Sequence, residues 1–584
     1  MLLMPYKECR DTRLILNLIW RQAAEGGWPH QLTAFRSRAA RRVAWSPDGA
    51  RLVVAADREG DENEQLFLLP RGGGVPKRLT SRSDARYVLG DRPWSPDGRQ
   101  LACTANADNP ANMDLVVIDT ETGASRQLST APLFHHACCW SHNGGLLCAV
   151  AVHGRIHQDI MLVPPEGGPV RNVTETRSPA RRIPLGFSAD NGSLYLLTDE
   201  DREFQGLARL DFETGKLEWI RSPEWDIDLA CMSQDARWIL YIVNVDSVHQ
   251  IHLLDRNSGI EPTLPPLSMG KVLALAIAAD GSRAALLHDS SRHPTEVVVF
   301  DLPRGARRTI TDGMIGGVPE NVMVEPEIVR FESFDRKVPG LLYRPSRRPR
   351  APEQPHSRPA LLWIHGGPEV QEQPFYRPLF QFLVGQGFVV LAPNIRGSRG
   401  YGKSYQALIY RDFGGDDLRD LEAAANYLRA LPEVDPERIA VAGKSYGGFA
   451  ALSCATRLPD YWAAAIAVSA PSDLTTFARN VPRAWQRFMR DWVGDPTEEA
   501  EELKRRSPLT YVDRLQCPLL VIQGARDARV TRAETDRMVE SARAAERSVD
   551  YLVFEDEGHF DFLKHENRRR AYRAVADFLL RHVG

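Results

Sequence analysis

The chain has 584 residues, 43% hydrophobic and 26% charged, with a formal net charge of −3. One hydrophobic core organises ~250–300 residues at most, so at least two domains are expected. The near-neutral balance excludes a broad electrostatic pull toward nucleic acid or an anionic membrane. No run reaches the ~18 apolar residues of a membrane span. Lys7, Arg10, Asp11 and Arg13 interrupt any signal-like pattern at the start, so a cytoplasmic location is the default expectation. The eight cysteines (Cys9, Cys103, Cys138, Cys139, Cys148, Cys231, Cys454 and Cys517) include no CxxC pair. They read as buried free thiols in a reducing compartment, with no metal site.

Residues 1 to about 310 repeat. Gly26-Gly27-Trp28-Pro29-His30-Gln31-Leu32-Thr33 returns as Gly73-Gly74-Val75-Pro76-Lys77-Arg78-Leu79-Thr80, then in the segments starting at Thr122-Gly123 and Gly167-Gly168. Weaker copies start at Thr214-Gly215, Ser258-Gly259 and Arg304-Gly305. A period of ~45 residues is that of a four-stranded propeller blade. A second signature sits earlier in each unit: Trp45-Ser46-Pro47-Asp48-Gly49, Trp94-Ser95-Pro96-Asp97-Gly98 and Trp140-Ser141-His142-Asn143-Gly144, with looser forms near Ser188, Ser233 and Asp280. Asp-Gly and Asn-Gly make hairpin turns because glycine accepts positive φ at no steric cost. The seven closings outnumber these six turns, which predicts a seven-bladed propeller whose first blade is incomplete or whose natural start lies upstream.

From about Glu325 apolar strands alternate with helices, the pattern of a parallel sheet covered by helices. Strands are expected at Ala360–Ile364, Phe388–Ala392, Arg438–Ala442, Ala464–Val468, Pro518–Gln523 and Val549–Phe554. Helices are expected at Asp416–Ala430, Tyr446–Thr456, Ala533–Ala544 and Glu566–Arg581, the first with an apolar face of Leu418, Leu421, Ala425 and Leu428. Pro345–Arg358 reads as a surface loop. The expected domains are 1–322, a β-propeller, and 323–584, an α/β-hydrolase domain.

Gly443-Lys444-Ser445-Tyr446-Gly447 lies between an expected strand and an expected helix. Small flanking residues permit the tight turn that holds a serine hydroxyl clear of the sheet edge. A serine attacks a carbonyl only when a base takes its proton. His559, after Tyr551-Leu552-Val553-Phe554, is the expected base. His565 and His582 fall in or beside helical sequence, and His365 precedes the serine, against the chain order of this fold. Asp527, just past a strand end, is the expected acid, with Asp556 and Asp495 as weaker rivals. The oxyanion donors are expected from the backbone N–H groups of Tyr446 and of Gly367, in His365-Gly366-Gly367-Pro368.

These pieces, with Asn394-Ile395-Arg396-Gly397-Ser398-Arg399-Gly400-Tyr401-Gly402, Gly414-Gly415-Asp416-Asp417 and Asp527-Ala528-Arg529, resemble the prolyl oligopeptidase family of serine peptidases, most closely its acylaminoacyl-peptidase branch. The resemblance covers nearly the whole chain. It implies a peptidase of short, N-acylated peptides that needs no cofactor and is often a homo-oligomer, with the propeller capping the site. It implies that Arg529 binds a substrate carbonyl and that the side-chain pocket follows Ala464–Val468, where Phe477, Trp485, Phe488 and Trp492 are candidates. No Glu-Glu pair occurs in residues 1–310, which leans against a free-amine dipeptide substrate. An esterase or amidase of a small acylated compound would use the same triad, and a free-amine aminopeptidase is a further alternative.

Overall fold

The computed structural model describes residues 2–6, 18–129, 133–302, 304–313, 316–345, 356–559 and 564–584. The expected loop Pro345–Arg358 falls largely on 346–355 and so lies outside them.

The repeat unit has a physical explanation. In each Ser-x-Asp/Asn turn the serine Oγ lies 2.5–2.8 Å from the Asp or Asn Oδ1, at Ser46, Ser95, Ser141, Ser188 and Ser233. The same Oγ accepts the backbone N–H five residues on. One short side chain therefore clamps both sides of the hairpin. The closing Thr or Ser does a second job. Thr33, Thr80, Ser129, Thr174 and Thr311 each accept the backbone N–H fourteen residues earlier, from Ile19, Leu66, Leu115, Ile160 and Val297, at 2.8–3.0 Å. The signature tryptophans link neighbouring units: Trp94 Nε1 donates to Ala44 O (3.2 Å) and Trp140 Nε1 to Pro93 O (2.9 Å). Trp45 Nε1 has no such partner among the described residues.

Among the described residues these units form five four-stranded and two three-stranded antiparallel sheets, a β-propeller. The first sheet holds Leu2–Tyr6, Leu18–Gln22 and His30–Gln31. The sheet of Ile227–Met232, Trp238–Val245 and Val248–Asp255 gains no fourth strand after Ser258-Gly259. Pro262, Pro265 and Pro266 follow there, and proline cannot donate to a ladder. In every one of these sheets except that of Leu2–Tyr6, the first strand carries a register shift, as between Ala40 and Arg42 or Ala137 and Cys139. Such bulges add local twist. First and last units meet where Gln22 Nε2 donates to Ile310 O (2.7 Å) and Glu25 pairs with Arg283 (2.5 Å).

The second half is one eight-stranded sheet. Its strands are β1 Glu327–Glu332, β2 Lys337–Tyr343, β3 Arg358–Ile364, β4 Val389–Pro393, β5 Val434–Lys444, β6 Ala464–Val468, β7 Leu519–Gly524 and β8 Val549–Phe554, in the order β1-β2-β4-β3-β5-β6-β7-β8. All pairings from β4 onward are parallel. Its helices are α1 Pro378–Gly385, α2 Lys403–Ala407, α3 Asp416–Arg429, α4 Tyr446–Arg457, α5 Leu474–Asn480, α6 Arg483–Trp492, α7 Ala500–Arg506, α8 Arg532–Ala544 and α9 His565–His582. One core joins the sheet to α3, α4 and α8, and another joins its opposite face to α1 and α9. The apolar face of α3, with Leu418, Leu421, Ala425 and Leu428, lies in the first core, as its periodicity requires. No described helix is long and apolar enough to cross a membrane.

The β5–α4 crossing leaves no room at Gly447. A Cβ there would sit on the Ile364 carbonyl oxygen, whereas one at Gly385 would meet nothing within 4 Å. Gly447→Ala is therefore expected to destabilise by about 3 kcal/mol. Gly385→Ala should be neutral or stabilising by up to about 1 kcal/mol. Urea unfolding of the two variants checks the contrast.

Candidate active site

Ser445 is the single residue between β5 and α4. Its backbone lies at φ 59° and ψ −122°, and its N–H is held by Val468 O at 2.8 Å. That turn lifts its side chain from the carboxyl end of the central strand. His559 and Asp527 sit past the carboxyl ends of β8 and β7. The three side chains, distant in sequence, meet: His559 Nε2 is 3.1 Å from Ser445 Oγ, and His559 Nδ1 is 2.7 Å from Asp527 Oδ2. Asp527 is itself oriented, because its Oδ1 accepts the N–H groups of Arg529 and Val530, both at 2.9 Å. Asp556 instead bonds Lys564 and Asn567, and Asp495 pairs with Arg490.

His365-Gly366-Gly367-Pro368 follows β3 and abuts the nucleophile. A Cβ on Gly366 would stand 3.1 Å from Lys444 O and 3.5 Å from Ser445 Cβ. Gly367 itself has φ 118°, a conformation that favours glycine. His365 is buried, with Nε2 2.9 Å from Ser398 Oγ, and burial pulls its imidazole pKa down, toward the neutral form. It anchors this loop. Tyr446 opens α4, where backbone N–H groups lack intrahelical acceptors. Its side chain points away from the site, and its hydroxyl donates to Asp417 Oδ2 at 2.6 Å. Asp417 also accepts from the backbone of Gly414 (3.0 Å) and Leu418 (2.8 Å), and burial pushes its carboxyl up to about 6.

The aromatic residues expected for the pocket divide. Trp492 meets Phe413 (5.6 Å), which meets Tyr446 (5.1 Å) beside the nucleophile. Phe488 meets Phe134 of the propeller (6.2 Å), and Trp485 lies 5.1 Å from the Arg529 guanidinium. Phe477 is buried in the domain core.

Arg529 binds the propeller. Its Nε and Nη2 donate to the two oxygens of Glu62 at 2.7 and 3.0 Å. Arg526 pairs with Glu59, and a Cβ on Gly558 would run into Gly60 O. One propeller loop thus touches both the Asp527 and the His559 loops. Sequence reasoning missed this loop. Its only trace is the acid-rich Glu59-Gly60-Asp61-Glu62, which names no partner.

Among the described residues two clusters have metal-ligand residue types, Asp91/His136/Cys138 and His153/His157/Asp159. In both, the carboxylate already has protein partners: His136 and Arg42 at Asp91, and Asn172, Thr174 and His153 at Asp159.

Residues 375–584 match the family model described as the prolyl oligopeptidase family. This domain belongs to the prolyl oligopeptidase family. Dipeptidyl aminopeptidase BIII of Pseudoxanthomonas mexicana is 36% identical over 227 residues, 38% of this chain and 33% of that protein. The chain thus spans about a third of that relative's length. Among solved structures, a puromycin-hydrolysing peptidase of Mycobacterium tuberculosis superposes with a TM-score of 0.84 at 22% identity, covering 98% of this chain and 91% of the other. An acylaminoacyl peptidase of Pyrococcus horikoshii gives 0.73 at 20%, covering 97% and 91%. At these identities the likeness to the two structures is one of fold, and it extends over both the propeller and the family domain.

Asp417 supplies a test of the site's rear wall. A raised carboxyl pKa favours the protonated fold, so its stabilisation is full below about pH 4 and lost above about pH 6. Relative to Asp417→Asn, the wild type should lose on the order of 2–3 kcal/mol between these limits. Melting temperatures of both proteins from pH 4 to pH 7 check it, and a constant difference counts against the assignment.

Proposed function

We propose that this protein is a serine peptidase that cleaves short, N-acylated peptides through an acyl-enzyme on Ser445. The observation that carries the reading is the unbroken hydrogen-bond chain from Ser445 through His559 to Asp527. His559 Nε2 takes the serine proton as Oγ attacks the carbonyl, and returns it to the leaving amine. Asp527 fixes the imidazole tautomer and stabilises the imidazolium. The N–H groups of Gly367 and Tyr446 receive the oxyanion, each worth about 10²–10³ in rate. Water activated by His559 then frees the acyl group.

Trp485, Phe488 and Trp492, with Phe477 behind them, form the side-chain pocket. Arg529 presents its guanidinium to a substrate carbonyl while Glu62 holds it in place. Glu62 also supports a second reading. A buried carboxylate next to Arg529 would bind a free amine, making the enzyme an aminopeptidase. An esterase or amidase of a small acylated compound would keep the triad and dispense with both.

The domain division at 322/323 belongs to this proposal. So does a count of seven blades, which takes the sheet containing Leu2–Tyr6 as one; its Thr33–Ile19 bond follows the rule of the later units. A cytoplasmic setting is favoured by the seven free cysteines of the described residues, several of them neighbours in one sheet.

The deciding measurement is kcat/KM for acetyl-alanyl-p-nitroanilide against alanyl-p-nitroanilide, with Ser445→Ala as the blank. The acyl reading expects a ratio well above one. A ratio well below one that rises in Glu62→Gln selects the aminopeptidase. Asp527→Asn is expected to lower kcat by about 10⁴ in either case, and full activity in that variant removes Asp527 from the triad.

A further inference from the structure

The loop between β4 and α2 carries Asn394-Ile395-Arg396-Gly397-Ser398-Arg399-Gly400-Tyr401, and nearly every polar side chain in it has a structural task. Asn394 Nδ2 donates to Glu372 O (3.0 Å) and Tyr401 OH (3.2 Å). Arg396 clasps buried Asp420 through Nε (2.9 Å) and Nη2 (2.8 Å). Ser398 Oγ donates to Ile395 O (2.7 Å) and meets His365. The Tyr401 hydroxyl meets Ser247 Oγ at 2.7 Å. Arg399 is the exception. Among the described residues its guanidinium makes no hydrogen bond and no ion pair.

Where Arg399 lies follows from two further facts. Its side chain is open to solvent, yet burial pulls its pKa below the usual arginine range. Both hold for a side chain that lines an enclosed, water-accessible space. The charged and titratable groups around it come from both domains: Arg155, Arg181, Asp226 and Asp228 from the propeller, and Tyr410 from the family domain. The adjacent Gly400 is wedged between Gln371 and propeller Asn244. That space therefore lies where the two domains meet. It borders the site, because Ser398 holds His365, whose loop abuts Ser445.

The neighbouring charges are already matched. Arg181 pairs with Asp199 (2.7 Å), and Arg155 with Glu369. Asp228 accepts from Asn244 (2.8 Å) and meets His249 (3.1 Å), and Asp226 accepts the Gln205 N–H (2.7 Å). Arg399 is left without a counter-ion in contact.

We propose that Arg399 anchors the C-terminal α-carboxylate of a short peptide whose scissile bond lies at Ser445. This rests on the peptidase reading above. A guanidinium presents a planar fork that matches a carboxylate, and partial desolvation strengthens the pair. A peptide of arbitrary sequence carries one obligatory anion, its free C-terminus. That anion exists only at the chain end, and each extended residue spans about 3.3–3.6 Å. The anchor therefore selects peptides that end a set number of residues beyond the cleaved bond.

The test is cleavage of N-acetylated alanine peptides of two to six residues, each as free acid and as C-terminal amide, with rates scaled to the fraction of enzyme labelled by a fluorophosphonate. At one length the acid should exceed the amide in kcat/KM by about tenfold, the scale of one charge-assisted pair. That ratio should fall to near one in Arg399→Gln and be partly restored in Arg399→Lys. The ratio is internal to each protein, so a partly misfolded variant still reports it. Acid and amide cleaved alike at every length, or a preference that survives Arg399→Gln, overturns the assignment and leaves the peptidase reading standing. A wild type that takes the fluorophosphonate but cleaves no peptide overturns both.

Discussion

Between β5 and α4 the backbone of Ser445 is held at φ 59° and ψ −122°, outside the regions an L-residue prefers, at a cost of about 1–3 kcal/mol. Such a residue persists only where its surroundings leave it no alternative. Here they do so from three sides. The Ser445 N–H is tied to β6, Gly447 is pressed against the end of β3, and a Cβ on Gly448 would stand 2.8 Å from that of Ala470. The sheet core beneath, with Phe449, Ala450 and Ala451 of α4 fully buried, offsets the strain. The tether from Tyr446 to Asp417 extends this support behind the nucleophile. The geometry of the triad is thus a property of the sheet and its crossing helix.

The contact between the two halves is of another kind. It includes many ion pairs and hydrogen bonds: Arg529–Glu62, Arg526–Glu59, Arg155–Glu369, Asn244–Gln371 and Ser247–Tyr401. Interfaces of that composition hold orientation without fusing two cores, and relative motion is their default. The polar groups are also spread unevenly. Arginines of the family domain face acids of the propeller near the triad, and matched neutral groups dominate around Gln371 and Asn394.

Much of this was legible in the sequence. The triad stood out because its fold places each member just past a strand end, and each apolar run ends within two residues of the strand it marks, the widest gap being Ala442 against Lys444 before the nucleophile. The propeller was legible because its bonds recur at fixed spacing, a Ser two residues before Asp and a Thr fourteen after the N–H it accepts. The missing fourth strand after Ser258 is hidden by a turn signature like those of the other units, and its signal is the three prolines that follow. The role of Glu62 could not be read at all. It lies 467 residues from Arg529, and neither residue's neighbours encode the meeting. Arg399 was similarly silent, since its distinction is the absence of a partner in space.

The loop at Glu59-Gly60-Asp61-Glu62 has a consequence for how such chains can be recombined. It belongs to the propeller, yet it forms part of the bed on which the Asp527 and His559 loops rest, and Gly558 is bare so that the Gly60 carbonyl can lie against it. These positions are one structural unit divided between two domains. The seam between the halves is therefore a poor place to splice. A family domain joined to a foreign propeller keeps its three reactive side chains and loses the surface against which two of their loops are set.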